Sequence, residues 1–158
     1  MAFDYGETRI GVAIGNLQLK IPHPLETITG KNKTEKFEKI RKLIDKWRPT
    51  YLVLGIPSEI NPDFINDRVY NNPPKETTHN EQKENLLNSI RKFGGRLKNE
   101  FKLQIEFINE DYSSSIAAQK LNEQSIRGIM QKPKLDALAA CVILQFYFNT
   151  LNGEELKL

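Results

Sequence analysis

Three acidic residues carry the chemistry that can be read from this chain: Asp4, Glu110 and Asp136. Asp4 stands in Phe3-Asp4-Tyr5-Gly6, Glu110 in Asn109-Glu110-Asp111, and Asp136 in Lys134-Leu135-Asp136-Ala137. Carboxylates are hard oxygen ligands suited to Mg²⁺ or Mn²⁺, and acids gathered at one point repel each other until a cation arrives. A pair of such cations suits phosphodiester hydrolysis. It cancels the charge that repels an attacking water, makes hydroxide available near neutral pH and holds the leaving oxygen. Each acid also has a plain structural reading. Asp4 can open a turn with Tyr5-Gly6, Glu110 can be a solvated strand-end acid beside a rival ligand, Asp111, and Asp136 can complement a helix dipole. Around Asp4, Gly6 lets backbone approach a ligand closely, and Thr8 and Arg9 are placed to steady a phosphate. An ordinary polar hairpin fits the same residues.

The elements that would position these acids follow from periodicity. Met1-Ala2-Phe3 reads as the end of a short first strand. Arg9 to Gly15 alternates strictly, with branched residues on one face and Gly and Ala on the other, which predicts a second strand. Leu25 to Thr29 reads as a third. Thr34 is expected to cap a helix whose apolar stripe is Phe37, Ile40, Leu43, Ile44 and Trp47, with Pro49 just beyond its end. Tyr51 to Leu54 is a continuous apolar strand of the kind buried on both faces, ending at Gly55-Ile56-Pro57. Residues 58–79, rich in Asn, Asp and Pro, read as a mobile loop. Leu86, Ile90, Phe93 and Leu97 mark a second helix, Ile105 to Ile108 another strand, Ser113 the start of a short helix, and Leu135 to Phe148 the last one.

This order predicts an α/β fold with a mixed five-stranded sheet, three antiparallel strands followed by parallel ones, flanked by helices. Ribonuclease-H-like folds have this arrangement. Parallel strands place their carboxyl ends on one edge, where ligands bind, so Asp4 and Glu110 are expected there, with Asp136 delivered from the last helix. If the strand ending at Gly55 lies between the other two, Asp4 and Glu110 are two strand spacings apart, roughly 10 Å at the backbone. Two cations ~3.5–4 Å apart would about fill that gap, and Gly55 has no side chain to block it.

Composition sets the frame. The 158 residues suit one domain, and the fractions of hydrophobic (39%) and charged (27%) residues are those of a globular chain. A formal charge of +3 suits a polyanionic partner without demanding one. The single cysteine, Cys141, lies in an apolar helical run and reads as a buried structural thiol in a reducing compartment. Neither His23 nor His79 has a Cys or His at ligand spacing, which argues against a zinc site. The longest apolar run, Leu138 to Leu144, falls far short of the ~20 residues a membrane span needs. With no signal peptide in view, the expectation is a cytoplasmic protein. Basic runs from Lys31 to Lys46 and from Arg91 to Lys98 could bind backbone phosphates, but interleaved Glu residues favour the wet faces of amphipathic helices.

The motifs together resemble one family. Phe3 to Ile14 is close to the opening motif of the YqgF (RuvX) family, Val53-Leu54-Gly55-Ile56-Pro57 looks like its central Gly-x-Pro strand end, and Lys134 to Ala140 with Ile143-Leu144-Gln145 is similar to its C-terminal helix. Asn109-Glu110-Asp111-Tyr112-Ser113-Ser114 occupies the place of its Asp-Glu-Arg-x-Thr-Thr motif, with one acid neutralised and a cation replaced by an anion. The resemblance spans nearly the whole chain. It implies a ribonuclease-H-like fold, Asp4, Glu110 and Asp136 as ligands of Mg²⁺ or Mn²⁺, and Gly55, Pro57, Ser113 and Ser114 near the substrate. It further implies a nuclease associated with maturation of the 5′ end of pre-16S rRNA, a family also described as a Holliday junction resolvase by analogy with RuvC.

Three function classes follow: a nuclease acting on structured RNA, a resolvase of four-way DNA junctions, and a non-catalytic ribosome-assembly module. The expected partners are nucleic acid, pre-rRNA ahead of branched DNA, and ribosomal precursor particles, with the chain a monomer or homodimer. An actin-like kinase reading is set aside, because those enzymes close two such domains around a nucleotide.

Overall fold

The computed structural model describes residues 1–56, 81–109 and 132–155. Within them lie strands β1 (Ala2–Tyr5), β2 (Arg9–Gly15), β3 (Pro22–Thr29), β4 (Tyr51–Ile56) and β5 (Gln104–Asn109), and helices α1 (Lys33–Trp47), α2 (Glu81–Phe101) and α3 (Lys132–Glu155). The strands form a five-stranded sheet in the order β3-β2-β1-β4-β5. The β1–β2 and β2–β3 pairs are antiparallel, and β1–β4 and β4–β5 are parallel. This is the mixed sheet expected from the sequence, with β4 between β1 and β5 as the metal-spacing argument required.

Strand alternation divides the apolar residues between two layers. Phe3, Ile10, Val12, Ile28, Leu52, Leu54 and Ile56 face α1 and α2 and pack with Phe37, Ile40, Leu43, Ile90, Phe93 and Leu97. Phe93 anchors this layer, with ring centroids 5.9 Å from Phe3 and 5.7 Å from Phe37, both edge-on. The opposite face carries Ala2, Ala13 and Val53, against which α3 packs Ala140, Cys141, Leu144 and Phe148. Small side chains on that face bring the α3 backbone close to the sheet. A Cβ on Gly15 would lie 2.8 Å from the Phe148 ring.

Four details depart from expectation. The α1 cap is Asn32, not Thr34: its Oδ1 accepts from the Glu35 backbone N–H at 2.9 Å, placing the helix start two residues earlier. Strand β3 begins at Pro22, ahead of Leu25. Its two prolines are tolerated because β3 is an edge strand, and the register steps from Val12↔Glu26 to Ala13↔Pro24, leaving Leu25 as the extra residue of a bulge. Trp47, expected within the α1 stripe, is 43% exposed, because the helix ends there and Arg48 turns the chain with a φ of 45°. Asp136 lies inside α3, four residues past its first residue, and does not open it. The loop over residues 58–79 and the short helix at Ser113 lie outside the described residues.

Candidate active site

The convergence of Asp4 and Asp136 is built by Gly11. In the antiparallel register Asp4 lies directly opposite Gly11, and residues opposed in this way project from the same face. That face is the one covered by α3. A Cβ on Gly11 would come 1.9 Å from the Asp136 carbonyl oxygen and 2.2 Å from its carbonyl carbon, so the helix rests directly on bare strand backbone. Any side chain there would lift α3 and carry Asp136 away from Asp4. The alternation that shows Gly and Ala on one face of β2 was legible; that Gly11 seats an acid from a helix 125 positions along was not.

The electrostatics follow from this approach. Asp4 is half-buried, and its carboxyl is pushed up from 3.8 to about 6, first by burial and then by the negative charge of Asp136. Arg9, two residues before Gly11 and on the same face of β2, brings its Nε to 3.1 Å from Asp136 Oδ2. The contact is an ion pair without hydrogen-bond alignment, since Oδ2 is inaccessible to solvent and accepts no hydrogen bond. Two neighbouring carboxyls with one guanidinium on Asp136, whose buried Oδ2 accepts no hydrogen bond, leave room for further positive charge. These two residues therefore fit a divalent cation.

The other expected site residues divide into two groups. Gly6 and Thr8 sit in the β1–β2 turn, where the Gly6 N–H donates to the Arg9 carbonyl at 2.9 Å and a Cβ on Gly6 would meet that oxygen at 2.7 Å. Gly55 is buried in β4, and the parallel register Phe3↔Leu54 brings it alongside Asp4 on the next step. Glu110, Pro57, Ser113 and Ser114 lie outside the described residues, β5 ending at Asn109. The described residues thus bring together two of the three expected acids.

The sequence placed Lys36 in a basic run but did not show that it ties the β1–β2 turn. Its Nζ donates to the Glu7 backbone carbonyl, tying α1 to the turn that carries Thr8 and Arg9. Gly30 makes this possible, because a Cβ there would crowd Lys36 Cγ at 3.0 Å. Other members of the basic runs are likewise engaged within the molecule. Lys39 Nζ reaches the Thr29 carbonyl, Arg41 pairs with Glu100, and the Arg96 guanidinium lies 3.7 Å from the Phe37 ring centroid. For these residues the amphipathic-helix reading is the one the contacts favour.

A cavity among the described residues lies elsewhere. It spans about 390 Å³ and opens at the other end of the sheet, between Met1, Gly15, Trp47, Tyr51 and Phe148, and no carboxylate lines it. Asp4 and Asp136 lie away from it, near the carboxyl end of β1. Among the described residues no helix is long and apolar enough to cross a membrane.

A mixed sheet in the order 3-2-1-4-5, with a helix bringing Asp136 to Asp4 near the carboxyl end of β1, is the ribonuclease-H-like arrangement, and the relatives below place the chain among hydrolytic nucleases. Thermus thermophilus RuvC, solved in complex with a Holliday junction substrate, shares this fold with a TM-score of 0.54 and 12% identity, over 96% of this chain and 93% of that one. The model of the RuvX family, described as Holliday junction resolvase, matches residues 1–150. A protein of Nitrosospira multiformis named "Putative pre-16S rRNA nuclease" is 40% identical over 97% of this chain and 89% of its own length. One of the same name from Chromobacterium violaceum is 40% identical over 94% of this chain and 95% of its own. The chain belongs to the RuvX family.

Proposed function

We propose that this chain is a divalent-metal-dependent endonuclease that hydrolyses phosphodiester bonds in structured RNA, with the 5′ end of pre-16S rRNA as its substrate. The observation that carries the reading is the buried Asp136 Oδ2, without a hydrogen bond, beside the repelled carboxyl of Asp4. In this reading Asp4, Asp136 and Glu110, the residue following β5, hold one or two Mg²⁺ or Mn²⁺ ions. When bound, such ions supply charge neutralisation at the phosphate and a more acidic water. The chain's own residues do the rest. Asp4 and Asp136 present the carboxylates, Thr8 from the β1–β2 turn and Arg9 from the start of β2 face the phosphate, and Gly6 and Gly55 offer it no side chain to clash with. Pro57, Ser113 and Ser114 are the further substrate-binding residues of this reading. The whole chain, 1–158, acts as one domain, on ribosomal precursor particles in the cytoplasm.

The RNA substrate rests on the names of the relatives. The description of the family model favours a second reading, cleavage of four-way DNA junctions, which needs paired sites and hence a homodimer. Purified protein with Mn²⁺ is given a 5′-extended 16S precursor RNA and a four-way DNA junction side by side, with EDTA and the Asp4→Asn variant as controls. Metal-dependent cutting of the RNA, abolished by Asp4→Asn, is expected. Cutting of the junction alone shifts the assignment to the resolvase, and cutting of either by Asp4→Asn at the wild-type rate refutes the proposed site.

A further inference from the structure

We infer that Arg9 is a built-in counter-cation of Asp136, which a divalent ion must displace, and that metal loading thereby frees its guanidinium for the substrate phosphate. The inference rests on Asp4 and Asp136 being ligands, as proposed above.

Three observations carry it. The Arg9 Nε is 3.1 Å from the same Asp136 Oδ2 that accepts no hydrogen bond, so charge attraction alone holds the pair. A hydrogen bond locks direction, whereas simple Coulomb attraction passes to whichever cation comes closest. A divalent ion approaches a carboxylate oxygen to ~2 Å with twice the charge, and so wins that competition. Secondly, the Arg9 side chain is 35% exposed, which leaves it an open path away from Asp136, whose side chain is 27% exposed. Thirdly, Arg9 is the first residue of β2, beside the turn that Lys36 ties down at Glu7. Its backbone is therefore anchored while its side chain can swing. A released guanidinium presents five N–H donors in a fork that matches phosphate oxygens. One residue then serves two states: it screens Asp136 when metal is absent and receives the phosphate when metal is present. It also gives the cleft an order of assembly, metal first and phosphate second.

The test is metal binding without nucleic acid. Mn²⁺ is titrated into wild-type protein, Arg9→Gln, Arg9→Lys, Asp4→Asn and Asp136→Asn, and free Mn²⁺ is read by electron paramagnetic resonance. Removing a partly exposed competing cation should tighten Mn²⁺ binding by Arg9→Gln about two- to fivefold, an advantage that shrinks as salt rises. Arg9→Lys should stay near wild type, since it keeps the charge. In ¹⁵N spectra of the wild type, the Nε–H resonance missing from Arg9→Gln should move as Mg²⁺ is added. If Arg9→Gln binds Mn²⁺ no better than wild type while Asp4→Asn and Asp136→Asn lose it, the displacement idea is wrong and the ligand assignment stands. If both aspartate variants bind Mn²⁺ like the wild type, the ligand assignment fails and takes this inference with it.

Discussion

Replacing Asp4 with asparagine is expected to make the metal-free protein more stable while abolishing cleavage. The Asp4 carboxyl is raised from 3.8 to about 6, by burial first and by Asp136 second. A folded-state value above the unfolded one means that the native protein holds the proton more tightly. The resulting stability is fully present below pH 3.8 and is lost as pH rises through about 6. A shift of about two units corresponds to ~3 kcal/mol between those limits, and the partial exposure of Asp4 reduces this to about 2 kcal/mol. For a chain of 158 residues that is about 4–8 °C in Tm. Asparagine removes the cost because it is neutral at every pH and has nearly the same shape. Thermal unfolding in EDTA should therefore show the two proteins close together near pH 4, and the variant melting about 4–8 °C higher at pH 8. Added Mg²⁺ should stabilise the wild type and leave the variant nearly unmoved, since only the former keeps the full ligand set. The reasoning is refuted if Asp4→Asn melts at or below the wild type at pH 8, or if the gap between them does not change with pH.

Two further outcomes come from packing. Gly11→Ala puts a methyl group 1.9 Å from the Asp136 carbonyl oxygen, so α3 must move by more than an ångström. It should cost about 2–3 kcal/mol in denaturant unfolding and, by displacing Asp136, at least about 100-fold in cleavage rate. Ala13→Gly on the same strand should cost stability without a comparable loss of rate. Cys141 is 2% exposed, and burial pushes its thiol up to about 12. It should resist alkylation by iodoacetamide in the native protein and react only on unfolding, as followed by mass spectrometry.

Much of the architecture was legible because it depends on short-range pattern. The alternation in Arg9 to Gly15, the continuous apolar run at Tyr51, and the helical spacing of Ile40, Leu43 and Ile44 each announce which face of an element is buried. Asp4, Arg9 and Asp136 were named from their types and motif context, and the described residues place all three together. Cap and edge details were less legible. Asn32 and Thr34 are both good caps, and only the turn that closes on Glu35 separates them. Pro22 and Pro24 argue against a strand until β3 is known to lie at an edge, where a missing N–H costs nothing.

What the sequence determined by itself is therefore the set of elements, their buried faces and the chemical types available for a metal site. A strand or helix declares its buried side through neighbours two to four residues away, and a carboxylate is a hard oxygen ligand by residue type alone. Tertiary structure alone decided which groups meet. Gly11 became the seat of Asp136, Lys36 the tie on the Glu7 turn, and Arg9 the counter-ion of an acid 127 positions away, because distances across a sheet are set by register and helix packing. No local pattern encodes a contact between residues that far apart in the chain. It arises only when α3 comes down on β2, where the missing side chain of Gly11 lets Asp136 reach the sheet.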